Sequence, residues 1–230
     1  MKVGTDGVLL GAWAGLPLGG EAPVRVLDIG TGSGLVALML AQRLEAEGRS
    51  GAGVHIDAID IDTPSARQAA DNFAASPWAD SLHAHNISLQ DFCAACPHTY
   101  SLIISNPPFY RHSLLCPDMR RTAARHTCSL SYDQLLHATS QLLGDGGKAA
   151  FILPADAQSF FIALAAAQGL APVRLVRVRG NSTNPAKRLL VEFVKEPQAP
   201  LVEVGSDIVL SGADGARTPE YSALTSAFYL

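Results

Sequence analysis

The sequence predicts a doubly wound α/β fold, with a mostly parallel sheet of seven strands and helices on both faces. Three observations predict it. Strand-length apolar runs alternate with helix-length segments along most of the chain. The first run closes in a glycine turn that opens directly into a helix. A later run, Leu102-Ile103-Ile104, stops at Asn106-Pro107-Pro108-Phe109. The chain has 230 residues and 48% hydrophobic content, enough to bury the core of one such domain.

The elements follow in order. Val24-Arg25-Val26-Leu27-Asp28-Ile29 reads as a buried strand and Gly30-Thr31-Gly32-Ser33-Gly34 as a turn. The helix after it has apolar residues at 35, 38 and 39 and onward to Leu44. Strand two runs from His55 to Ile61 and ends in Asp60-Ile61-Asp62. Thr63 is expected to cap the next helix, with Pro64 at its first position. Strand three covers Leu82 to Ile87 and strand four Leu102 to Ser105. Tyr132 to Leu143 reads as a helix stopped by Gly144-Asp145-Gly146-Gly147. Strand five is Ala149 to Leu153, and a helix from Ala157 to Gln168 ends at Gly169. Arg174 to Arg179 and Leu189 to Val194 give strands six and seven. The tail from Glu196 holds a candidate hairpin (Val209-Leu210, Asp214-Gly215) and an aromatic terminus expected to dock back on the domain.

Composition narrows the function. The net charge of −4 argues against non-specific coating of nucleic acid. No run approaches the ~20 apolar residues of a membrane span, and no signal pattern opens the chain. Cys93, Cys96, Cys116 and Cys128 do not suggest a disulfide framework, and Cys93-x-x-Cys96 lacks the second pair of a zinc site. A cytoplasmic enzyme without a metal, membrane or obligate protein partner is expected.

Two loops carry chemistry. Alternate glycines let the backbone bend and let a ligand approach where a Cβ would clash, and the helix N-terminus behind them favours an anion. A dinucleotide fingerprint would need glycine where Leu35 stands, which weakens a pyrophosphate reading. Asp60, or alternatively Asp62, is positioned to take the hydroxyls of a ribose. The second loop lacks backbone donors at Pro107 and Pro108. It offers the Asn106 amide, the Pro107 carbonyl and the Phe109 ring, a set suited to gripping a flat group with an exocyclic NH2.

The form Asp28-x-Gly30-x-Gly32-x-Gly34 resembles motif I of the class I S-adenosylmethionine methyltransferases, which implies a Rossmann-like fold with strands six and seven as an antiparallel edge hairpin. The opening Lys2-Val3-Gly4-Thr5-Asp6-Gly7, together with Asn106-Pro107-Pro108-Phe109, Ser88-Leu89-Gln90-Asp91-Phe92, Arg125-His126 and the Phe228-Tyr229-Leu230 end, is similar to the tRNA1(Val) adenine-N6-methyltransferase family. That resemblance covers essentially the whole chain. It implies a single domain over 1–230, with a motif X region at 1–23, a core at 24–195 and a C-terminal tail at 196–230. Family members usually carry a further short segment before motif X, whereas Met1 opens the motif here.

The implied chemistry is methyl transfer from S-adenosylmethionine to N6 of a tRNA adenine, leaving S-adenosylhomocysteine. The cofactor is expected at Thr5, Asp28, Gly30, Thr31, Gly32, Gly34 and Asp60, with its adenine by Ser88 and Leu89 and Asp91 as the other candidate. Asn106, Pro107 and Phe109 are the expected catalytic residues. Arg111, Arg120, Arg121 and Arg125 follow that loop and are expected on the tRNA phosphates. His112 and His126 are not assigned as bases, because the amine becomes acidic only once methylated. A second cationic group, Arg174, Arg177, Arg179, Lys187 and Arg188, flanks Gly180 to Pro185 and reads equally well as RNA-facing or as solvated surface. The same loop chemistry also suits a protein-glutamine N5-methyltransferase or an rRNA guanine-N2 methyltransferase. A non-catalytic SAM- or RNA-binding domain fits Asn106 least.

Overall fold

The computed structural model describes residues 4–18, 23–107, 130–195 and 203–229. Over these, the chain runs α1 (Thr5–Trp13), β1 (Val24–Ile29), α2 (Leu35–Ala46), β2 (Val54–Asp60), α3 (Thr63–Ala74), β3 (Leu82–Asn86), α4 (Leu89–Ala95) and β4 (Tyr100–Ser105). It continues through α5 (Tyr132–Leu142), β5 (Leu143–Pro154), α6 (Gln158–Ala167), β6 (Ala171–Arg179), β7 (Ala186–Val194), β8 (Glu203–Val204), β9 (Ile208–Val209) and α7 (Pro219–Thr225). The sheet order is β3-β2-β1-β4-β5-β7-β6-β8, with β9 also on β6. β1 to β5 are parallel, and β7 lies antiparallel between β5 and β6.

Alternation along the strands splits the core into two layers. Val26, Leu102, Ile104, Ile152, Leu190 and Val176 face α2 and α3. Leu27, Ile103, Phe151, Leu153, Val191 and Phe193 face α5 and α6. Strands buried on both faces read as near-continuous apolar runs, which is why they were legible.

Four expectations shift. The glycine run after α5 does not separate helix from strand, because β5 begins at once at Leu143. Tyr100 pairs with Leu143 and Leu102 with Lys148, so the glycines form a bulge in β5. A Cβ on Gly147 would lie 2.8 Å from the Tyr100 carbonyl, and Gly146 sits at φ +70°, so neither position tolerates a side chain easily. The predicted edge hairpin is not the edge, since β8 and β9 extend the sheet beyond β6 in parallel. Two-residue strands leave no period to read; they cover an otherwise open edge. Val209 accordingly ends β9 opposite Arg179 and lies outside the hairpin, while the turn expected at Asp214-Gly215 is present and closed by an antiparallel Ser211–Arg217 bridge. Finally, Asp62, not Thr63, caps α3, its side chain accepting from the Ser65 N–H at 3.0 Å, which moves Pro64 to the second helical position.

α1 is fastened at its C-terminal end by two arginines. Arg43 donates to the carbonyls of Gly11 and Ala14 at 2.7 and 2.8 Å, and Arg174 donates to Trp13 while its guanidinium stacks over that ring. Glu192, 1% exposed, accepts from the Gly15 N–H and lies 3.3 Å from Arg174 Nε. At the far end of the chain Tyr221 is buried, and Phe228 and Tyr229 pack on Val8, Ala12 and Met39. No helix among the described residues is long and apolar enough to cross a membrane.

Candidate active site

The carboxyl ends of β1, β2 and β4 meet at the point where strand order reverses, the usual ligand crevice of an open α/β sheet. The loop after β1 is held there from both sides. Gly30 and Thr31 donate their N–H groups to the Ile59 carbonyl at 2.9 and 3.1 Å, and Ser105 Oγ donates to the Ile29 carbonyl at 2.8 Å. Ser105 thus ties the end of β4 to the glycine turn, and Asn106 follows it directly.

The three glycines do different work. Gly30 (φ +72°) has nothing within 4 Å of a would-be Cβ, so its surface faces open space. Gly32 (φ +58°) donates its N–H to Asp60 Oδ2 at 2.9 Å. Gly34 (φ +81°) would in addition put a Cβ 2.4 Å from Phe73, so the packing of α2 on α3 adds to its backbone requirement. The expected ligand approach therefore centres on Gly30 and Gly32.

Asp60 and Asp62 are resolved by their partners. Asp62 spends its carboxylate on Ser65. Asp60, at the end of β2, accepts from Gly32 N–H and Asp62 N–H at 2.9 Å each, one on each oxygen, which leaves lone pairs for further donors. Asn86 was not foreseen. Its Nδ2 donates to the carbonyls of Asp60 and Ile61, and its Oδ1 accepts from Thr63, so it braces the strand end that presents Asp60. Ile61 was also missed as a site residue: it is 57% exposed immediately after Asp60, an apolar surface beside a polar clamp.

Asp28 lies beneath the turn, 2% exposed, and accepts from Thr31 Oγ1 at 2.7 Å. Burial pushes its carboxyl up to about 7, against the lowering by Thr31 and by a backbone hydrogen bond from Ala37; the Asp60 charge raises it slightly further.

Asn106 carries the most telling atom. Its Oδ1 is buried and has no hydrogen-bond partner among the described residues. An unsatisfied buried acceptor costs ~1–3 kcal/mol, so such groups cluster where a ligand supplies the missing donor. Pro107 beside it is buried.

Other expected residues sit less directly. Thr5 is exposed at the first turn of α1, after an N-cap, Gly4, that makes no side-chain bond. Asp6 next to it pairs with Arg188 at 2.7 Å. Ser88 caps α4 and donates to Asp91 Oδ2 at 2.7 Å, and the Leu89 side chain is buried in the second core layer. The Ser88 and Leu89 side chains are thus engaged in the cap and the core, while Asp91 is exposed and bonded to Ser88 through Oδ2. Phe109, Arg111, Arg120, Arg121 and Arg125, with His112, His126, Cys116 and Cys128, lie outside the described residues.

These features fit S-adenosylmethionine: an open glycine surface, a carboxylate with spare lone pairs, a buried acidic group and an exposed apolar side chain. Residues 18–152 match the methyltransferase small domain. A solved structure, the predicted O-methyltransferase Atu636 from Agrobacterium tumefaciens, superposes with a TM-score of 0.69 over 96% of both chains at 17% identity, a likeness of fold. A tRNA1(Val) (adenine(37)-N6)-methyltransferase of Musicola paradisiaca (strain Ech703) is 41% identical over all of this chain and 88% of its own length. One of Parabacteroides distasonis is 41% identical over all of this chain and 91% of its own. With full-length identity of this order and a sheet that brings motif I beside the Asn106 loop, the chain belongs to the tRNA1(Val) (adenine(37)-N6)-methyltransferase family.

Proposed function

We propose that the chain transfers a methyl group from S-adenosylmethionine to the exocyclic N6 of adenine 37 in tRNA1(Val), working in the cytoplasm where tRNA is modified. Beside family membership, one observation supports this most: the buried, unpartnered Asn106 Oδ1 at the end of β4, fastened to the glycine turn through Ser105.

Bound S-adenosylmethionine supplies an electrophilic methyl group on a sulfonium. Asp60 takes ribose hydroxyls on the lone pairs left by Gly32 and Asp62. Thr5, Thr31 and the turn from Gly30 meet the methionine end, above the Asp28 carboxyl. An adenine already unpaired in an anticodon loop turns in for only a few kcal/mol. Phe109 stacks on it, a contact of the order of 1–3 kcal/mol. Asn106 Oδ1 and the Pro107 carbonyl accept from the N6 hydrogens, which aims the nitrogen lone pair at the methyl carbon. With the cofactor bound, the amine so held would form its N–C bond as the methyl's C–S bond breaks, and the surplus N6 proton would leave to solvent afterwards. Positioning does most of the work, and no general base is needed before transfer.

The test is labelled S-adenosylmethionine offered to unmodified tRNA, with ribosomal RNA and a release-factor protein in parallel. Label in tRNA that digests to N6-methyladenosine is expected. Label in protein, or as N2-methylguanosine, overturns the substrate.

A further inference from the structure

The turn between β6 and β7 stands on the same rim as Asn106. Ser105 is level with Phe151, and Phe151 with Val191. β7 runs antiparallel to β5, so Lys187 projects four residues beyond that level, against one for Asn106. With ~3.3 Å per residue and ~4.8 Å per strand, Lys187 lies ~14 Å from Asn106 across the rim.

Alternation puts Lys187 on the face of Leu189, Val191 and Phe193, and Arg177 on the face of Leu175. Arg177 pairs opposite Leu189, and the register shift between Val178 and Arg179 makes Lys187 the extra residue of a bulge, two positions along β7 from the partner of Arg177. From Leu170 to Val191 the chain has no acidic residue. Arg179 and Arg188 are already committed to Asp207 and Asp6. Lys187 is exposed and has no ion pair among the described residues, and Arg177 meets only the neutral Gln158 amide at 3.2 Å.

The turn itself is stiff. Asn181 Oδ1 accepts from Thr183 N–H, Thr183 Oγ1 and Asn184 N–H, and Arg179 donates to the Asn184 carbonyl at 2.9 Å. A rigid turn bearing the exposed Lys187, with Arg177 near the end of β6 bonded only to a neutral amide among the described residues, suits the backbone of the strand carrying a base held at Asn106.

We infer that Lys187 and Arg177 bind the tRNA sugar-phosphate backbone a short distance from the target adenine, as a contact separate from the arginines after the Asn106 loop. This rests on the tRNA reading above. Backbone contacts of this kind add affinity and salt dependence without reading sequence.

The test compares wild type, Lys187→Ala/Arg177→Gln, Lys187→Arg and, as a charge control on α3, the exposed Arg67→Gln. Binding of unmodified tRNA is followed over a salt series, with S-adenosylmethionine affinity measured by calorimetry. The double variant should bind tRNA roughly 5–20-fold more weakly, and its log–log salt slope should fall by about 1 per lost contact. Lys187→Arg should bind like wild type, Arg67→Gln should change nothing, and cofactor affinity should hold throughout. An unchanged slope in the double variant, or an equal loss in Arg67→Gln, overturns the inference. Wild type that binds but does not methylate tRNA overturns the functional reading instead, so the two failures are distinguishable.

Discussion

Ser105 Oγ donates to the Ile29 carbonyl at 2.8 Å, joining the last residue of β4 to the last residue of β1. Both are buried, so the bond is shielded from water. It fixes the distance between the Asn106 loop, proposed to hold the target amine, and the glycine turn, proposed to meet the cofactor. Ser105→Ala leaves a buried carbonyl one donor short and should cost ~1–3 kcal/mol in urea denaturation. The turnover number should fall further than cofactor affinity, because the two loops lose their shared reference. Equal losses in both would make Ser105 a stability residue only.

Asn106→Ala should separate stability from activity. Removing an unpartnered buried acceptor should leave the melting temperature unchanged or raise it. Methyl transfer should drop by over ~100-fold, a barrier rise of roughly 2.7 kcal/mol, while cofactor affinity stays within a few-fold. A calorimetric titration showing lost cofactor binding would move Asn106 into the cofactor site.

Asp28 makes stability fall with rising pH. Its folded pKa of about 7 stands above the ordinary 3.8, so the folded state holds a proton that the unfolded chain gives up. The stabilisation is complete below the unfolded value and is lost as pH rises through the folded one. Urea midpoints should therefore decline between pH 4 and pH 7 in wild type and flatten in Asp28→Asn. Parallel curves would show that Asp28 is ionised throughout.

Gly30→Ala and Gly34→Ala should fail differently. Both place a side chain at positive φ, a strain of ~1–2 kcal/mol. At Gly34 the new methyl also meets Phe73 at 2.4 Å, adding an overpacking cost of ~1–3 kcal/mol. At Gly30 it enters open space, so the variant should fold with modest loss and bind S-adenosylmethionine poorly. Thermal denaturation with calorimetry of each variant checks the pair, and equal melting losses would refute the distinction.

Much of this was legible beforehand because it is local. Strands of the central sheet are buried on both sides and show as apolar runs. Glycines at 30, 32 and 34 and the Asn106-Pro107-Pro108 sequence are dictated by backbone geometry within a few residues. What was misread depended on neighbours. Nothing in Thr63-Pro64 says that Asp62 reaches the Ser65 amide first. The bulge in β5 answers to Tyr100, far away in sequence.

The sequence by itself determined the order of the seven longer strands, the glycine turn at the head of α2 and the stiff loop after β4, since each follows from short-range steric and hydrogen-bonding rules. Only the tertiary structure decided that Asp62 caps a helix while Asp60 keeps spare lone pairs at the end of β2, that a Cβ on Gly34 would meet Phe73, and that Ser105 binds Ile29 while Asn106 Oδ1 has no partner among the described residues. Those outcomes turn on which side chain reaches a buried polar group first. That competition is settled by strand register and packing across the sheet, which local sequence does not encode.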